Sequence, residues 1–248
     1  MSAGRTLTVL VAGGSGPSGV ATARALHDAG HKVFTVGSDG PRIGAAAAAA
    51  GSGVVPVVCD LASLAEVRSL HATIIAEAGA VDGVVHLVGG WRGAKGITDQ
   101  SDADWDFLER GAITTLRNVT RVFYDELAAS DTGRFAMVSS TAVGSPAAGG
   151  ASYVAAKAAA EAWTLAVADG FRRGQSGSAG PGSSRPVEQH SAAVIFVVKA
   201  LVDAAMRAKS PESTFPGFTD VEELAAAAVG LFTSPASELN GRRLALSR

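Results

Sequence analysis

In the alanine-rich stretch "SYVAAKAAAEAW", residues 152–163, two side chains are equipped for chemistry, Tyr153 and Lys157. At positions i and i+4 they share one face of a helix. A phenol titrates near pH ~10 and is a poor acid or base at neutral pH, but an ammonium group a few ångströms away stabilises the phenolate and lowers that value. Such a pair can give a proton to a carbonyl oxygen, or take one from an alcohol, while a nicotinamide carries the hydride. The same lysine can hold the nicotinamide ribose. Ser140 lies thirteen residues upstream of Tyr153, at the end of an apolar run. Its hydroxyl could steady the substrate oxygen. The competing role for Ser140 and its neighbour Ser139 is hydrogen bonding in a turn.

A second cluster can hold the cofactor. "TVLVAGGSGPSGVATARAL" reads as a strand, a glycine turn and the start of a helix. Gly14, Gly16 and Gly19 satisfy G-x-G-x-x-G, and Gly13, Gly16 and Gly19 satisfy G-x-x-G-x-x-G. Either register serves one need: a sharp turn, close approach of backbone to a diphosphate, and tight packing of helix on strand. The free N–H groups at the helix start favour the anion, and Pro17 suits that position. The expected contacts in this turn are Gly13, Gly14, Ser15, Gly16, Ser18 and Gly19. At the end of the second strand Gly37 or Ser38 stands where an acid often takes the ribose hydroxyl. Ser38 and Arg42 suit a 2′-phosphate, which favours NADP(H) over NAD(H), with Asp39 the residue that could argue otherwise. Asp60, followed by Leu61, ends the third strand. It reads either as acceptor for the adenine amino group or as N-cap of the next helix.

These residues need a scaffold, and the chain alternates strands with helices. The expected strands are 7–12, 32–37, 54–60, 83–88, 134–140, 192–198 and 242–247, several of them apolar almost throughout. Runs of that kind are covered on both faces. Helical patterns fall at 20–29, 63–78, 102–129, 153–171 and 220–232. The alternation predicts a doubly wound parallel sheet in a three-layer α/β/α sandwich, with residues 1–248 as one domain. Residues 174–190, rich in Gly, Ser and Pro, are expected to be a mobile surface loop. A net charge of −2 with scattered basic residues gives no nucleic-acid footprint. Cys59 is the only cysteine, so an internal disulfide and a cysteine metal cluster are excluded. No apolar run is long enough to cross a membrane, and the first apolar run reads as a strand rather than a leader. A soluble cytoplasmic protein without a metal is expected.

The glycine turn, Asp60, Ser140, Tyr153 and Lys157 resemble, in order and spacing, the short-chain dehydrogenase/reductase family. The resemblance runs on through "VEELAAAAVGLFTSPASELNGRRLAL". It implies a nicotinamide cofactor, NADP(H) or NAD(H), and a small-molecule carbonyl or alcohol substrate. Ser140 would orient the substrate, Tyr153 would act as acid-base, and Lys157 would bind ribose and tune the tyrosine. A homo-oligomer, dimer or tetramer, built through the long helices is also implied.

The chain departs from the family pattern in three places. After the fourth strand "HLVG" replaces "NNAG": Gly89 keeps the close approach to the cofactor, and His86 reads as a satisfied core residue. Ala112 aligns with the helix asparagine that positions a water in the proton path. Lys199 stands near the proline of the family's "PG", where it reads as a solvent-facing side chain or a contact for an anionic substrate. The "GGW" run Gly89–Trp91 and the stretch 192–206 are similar to dihydropteridine reductases, which makes pteridine reduction an alternative. Trp91 could stack on a flat ring or cap the core. Residues 203–220 should border the substrate, with Met206, Phe215 and Phe218 as an apolar lid or as core. The other alternative is a dinucleotide sensor or scaffold of low turnover.

Overall fold

Valine, isoleucine, leucine and phenylalanine crowd the strand segments, and burial on both faces is what such segments require. The protein is described here by a computed structural model covering residues 5–176 and 188–246. Strands β1 (Thr8–Ala12), β2 (Lys32–Gly37), β3 (Val55–Val58), β4 (Gly83–His86), β5 (Arg134–Ser140) and β6 (Ala192–Val198) belong to one sheet. A short parallel pair, β7 (Leu201–Val202) and β8 (Thr219–Asp220), stands apart from it. The last strand, β9 (Arg243–Ala245), completes seven in the order β3-β2-β1-β4-β5-β6-β9. Every pairing is parallel. The order reverses between β1 and β4, which opens a crevice at the carboxyl ends of those strands.

Helices cover both faces. On one side α3 (Leu64–Ala78), α5 (Thr115–Ala129) and α6 (Ala151–Gly174) bury Ile74, Phe123 and Phe171 against Leu10, Phe135 and Ile195 of the sheet. On the other, α1 (Pro17–Asp28), α2 (Gly40–Ala50) and α8 (Val221–Gly230) bury Leu26, Ala47 and Leu224 against Val9, Val85 and Phe196. The doubly wound sandwich is the architecture expected. Helix α2 was not. Its alanine run carries no amphipathic period, but Asp39 caps it by accepting from Arg42 N at 2.8 Å and Pro41 lies in its first turn. The short helices α7 (Ala204–Lys209) and α9 (Ala236–Leu239) were also unexpected. The 174–190 expectation falls largely on residues 177–187, outside the described residues.

The helix expected over 102–129 is interrupted. α4 (Asp102–Glu109) passes into a wide π turn, Arg110–Thr114, before α5 begins. A π turn frees a carbonyl from its usual partner, and here the Thr115 hydroxyl donates to Gly111 O at 2.7 Å. Thr115 also meets His86 Nε2 at 3.1 Å, which ties the turn to the end of β4.

Candidate active site

The glycine turn follows β1 directly. Gly13 sits at φ +85°, and its N–H, with that of Gly14, donates to Val36 O. A side chain at Gly14 would strike the Thr35 hydroxyl, and one at Gly19 would lie 2.5 Å from Gly14 Cα. These two glycines therefore serve strand and helix packing and do not face the cleft. Gly16 has open space where a Cβ would project. It is also the N-cap of α1, with no side-chain acceptor for the first-turn N–H groups. An anion can approach those groups, so the turn fits a diphosphate.

From this turn a cleft of about 610 Å³ opens. Gly13, Ser15, Gly16, Ser18, Ser38, Arg42, Asp60, Leu61 and Gly89 all line it. Asp39 borders it too, with its carboxylate engaged in capping α2. Asp60 does not cap α3; Ser63 does, accepting from Glu66 N. Asp60 accepts from Ala62 N at 3.0 Å and pairs with Arg110 Nη2 at 2.6 Å. Arg110 comes from the π turn and lines the same cleft, a neighbour for which the sequence offers no signal.

A second cavity of about 340 Å³ shares Ser18, Leu87, Val88 and Gly89 with the first. Tyr153, Lys157, Trp91 and Lys199 line it. Tyr153 and Lys157 thus face the space into which the glycine cleft leads. Burial pushes the Tyr153 phenol up from its ordinary value, opposed by a hydrogen bond with Ser140. The expected lowering by lysine does not prevail, since burial outweighs every lowering influence on the phenol; Lys157 Nζ itself donates to Val138 O at 2.8 Å. Burial lowers Lys157 to about 8, against the raising effect of Glu161. Ser140 is buried, and its Oγ also accepts from Ala142 N. Ser139 does not make a turn hydrogen bond; it donates to the buried Glu161 at 2.5 Å.

The departures from the family pattern are also accounted for in space. His86 is buried and bonded to Thr115, as a core residue should be, and burial followed by the Lys157 charge drives it down to about 3. It is a neutral imidazole. Ala112 packs among Leu108, Ala156 and Tyr153, so an apolar contact stands where the family has a polar one. Lys199 is exposed, as the solvent-facing reading has it, and its Nζ donates to Pro216 O at 2.9 Å and lies 5.8 Å above the Phe218 ring. Phe215 and Phe218 pack on one another at 5.6 Å, Met206 is exposed, and Trp91 stands at the cavity rim two-thirds exposed.

The family described as short chain dehydrogenase matches residues 7–175. The chain belongs to that family. Membership makes it a nicotinamide-dependent oxidoreductase. No curated protein matches it in sequence. Among solved structures it is similar to a gluconate 5-dehydrogenase from Burkholderia cenocepacia in complex with NADP and tartrate, at 20% identity and TM-score 0.78, over 97% of this chain and 93% of that one. A 3-ketoacyl-(acyl-carrier-protein) reductase from Brucella melitensis complexed with NADH matches at 19% identity and TM-score 0.80, over 97% and 96%. An NAD+-bound xylitol dehydrogenase matches at 18% and 0.80, over 97% of each chain. At these identities the likeness is one of fold. Among the described residues no group of acidic, histidine or cysteine side chains could hold a metal, and no helix is long and apolar enough to cross a membrane.

Proposed function

We propose that this short-chain dehydrogenase reduces a carbonyl compound with NADPH, and that Tyr153 is the proton donor. The observation that carries the reading is the shared wall of the two cavities: the glycine-turn cleft runs through Ser18 and Leu87–Gly89 into the space lined by Tyr153 and Lys157. The nicotinamide supplies the hydride when bound. The chain's own residues do the rest. Tyr153, protonated at neutral pH because burial raises it, gives its phenolic proton to the carbonyl oxygen as negative charge develops there. Ser140, hydrogen-bonded to that phenol, orients the same oxygen. Lys157 holds the ribose and opposes the charge left on the phenolate, with Val138 O fixing its position.

Ser38 and Arg42 at the adenosine end support NADP(H), since a hydroxyl and a guanidinium suit a phosphate and the nearby Asp39 is occupied as a cap. Comparing Michaelis constants for NADPH and NADH tests this, and a clear preference for NADH refutes it. A homo-oligomer through α5 and α6 belongs to the proposal. Its support is the shallow hollow of Tyr124, Trp163, Val167 and Gly170, with Leu165 exposed nearby. Light scattering after size exclusion reads the subunit count, and a monomer would end that part.

The main test is Tyr153→Phe. It should bind NADPH like the wild type and lose roughly 10²–10⁴-fold in turnover across a panel of aldehydes and ketones. If wild type and variant are equally inactive on the whole panel, the enzymatic reading fails and a dinucleotide sensor is left.

A further inference from the structure

Four residues beyond Lys157 on α6 is Glu161, one turn along the same helix face. Both are buried, at 8% and 6% exposure, and neither position reads as core from its residue type. Between them runs a short polar path. Lys157 Nζ donates to Val138 O, and the next residue, Ser139, donates its hydroxyl to Glu161 Oε1. The far side of the carboxylate meets Arg243 from β9, with Nε at 2.9 Å from Oε2 and Nη2 at 3.2 Å from Oε1. The Arg243 side chain is 44% exposed.

We infer that Glu161 is the buried countercharge of Lys157, and that Arg243 on the last strand sets how much of that charge the lysine feels. The inference rests on the catalytic reading of Lys157 and adds a positioning pair to it. The groups around the ammonium leave this role to Glu161. His86, from β4, is neutral. Tyr153, on α6, is protonated at neutral pH. Lys199, after β6, lines the same cavity as a cation. On the side of α4 and the π turn, Leu108, Ala112 and Ile113 pack around Tyr153. Among these groups Glu161 alone brings negative charge, and that charge opposes the effect of burial on the lysine. The Arg243 guanidinium, paired with the carboxylate, withdraws part of that charge.

Opposite substitutions must therefore act in opposite directions. Glu161→Gln removes the countercharge and should move the Lys157 titration to lower pH by about one pH unit. Arg243→Gln leaves Glu161 uncompensated and should move it to higher pH by a smaller amount. A packing defect has no reason to produce that pair of signs. The direct readout is NMR of protein carrying ¹³Cε-lysine, with the Lys157 resonance assigned as the one missing in Lys157→Met. The kinetic readout is the alkaline limb of carbonyl reduction, which should follow the same two directions. Should Glu161→Gln fail to fold, Arg243→Gln decides alone through its upward displacement. Identical titrations in wild type and variants, or displacement of both variants in one direction, overturn the inference. A protein without turnover that still shows the two opposite displacements keeps the countercharge and loses the catalytic reading, so the two failures are distinct.

Discussion

Lys157 should make the protein less stable at neutral pH, and replacing it by methionine measures by how much. The side chain is 8% exposed, and burial lowers its titration from 10.5 to about 8. Below pH 8 the folded and unfolded states both hold the proton, so the stability difference between wild type and Lys157→Met is constant with pH. Between about 8 and 10.5 the unfolded chain keeps the proton and the fold releases it. There the wild type gains stability relative to the variant with a slope of ~1.36 kcal/mol per pH unit. Over the gap of about 2.5 pH units the total is about 3 kcal/mol, an order-of-magnitude figure. The constant offset at low pH mixes this cost with the lost hydrogen bond to Val138 O, worth ~1–3 kcal/mol to a carbonyl left unpaired. The pH dependence separates the two. Burial raises Tyr153, Tyr124 and Cys59 as well, but they are present in both proteins and largely cancel in the difference. Equilibrium urea unfolding followed by circular dichroism at pH 7, 8, 9 and 10 gives the two curves. If they run parallel across that range, Lys157 titrates as an ordinary surface lysine and the burial argument is wrong. If they converge or cross as predicted, the fold bears a stability cost at Lys157, as expected where function and stability compete.

Three further outcomes follow from particular contacts. Thr115→Val removes the hydroxyl that joins His86 Nε2 to Gly111 O and leaves the buried imidazole and the half-buried carbonyl each short of a bond. It should lower stability by ~1–3 kcal/mol in urea unfolding, with an unchanged m-value. Gly19→Ala places a methyl 2.5 Å from Gly14 Cα and 2.6 Å from Gly13 O, so the turn must shift. Its affinity for NADPH, read by fluorescence titration, should fall at least about tenfold, since the backbone can no longer approach the diphosphate closely. Cys59 is buried, and burial followed by the charges of Glu66 and Asp60 pushes its thiol up to about 11. At pH 8 only about one thiol in a thousand is then ionised. A disulfide reagent should leave the native protein unlabelled and modify one thiol per chain in urea.

The strands were legible because burial on both faces leaves a continuous apolar signature: β2, β5 and β6 fall at the expected residues 32–37, 134–140 and 192–198. Helix α2 was hidden because its alanines carry no polar face, and only the cap at Asp39 and Pro41 marks it. The π turn was invisible for a different reason. Glycine and threonine within a long amphipathic run do not break the period, and the stabilising bond from Thr115 depends on His86, a residue from another element. The site divides along the same line. Tyr153 and Lys157 are local in sequence, four residues apart on one helix, so their pairing could be read directly. Glu161 obeys that same spacing and could have been read too. What the spacing cannot carry is Arg243, 82 residues further on, which reaches Glu161 only because β9 pairs beside β6. A lysine flanked along its helix by a phenol and a carboxylate has a charge state that depends on which of the two is itself compensated. Arg243 compensates the carboxylate from the surface, while burial keeps the phenol neutral. On the proposed roles, the sheet edge would reach Lys157 through one ion pair, and this is why the titration of Lys157, more than any single contact in the cleft, should report whether the whole arrangement works as a proton donor.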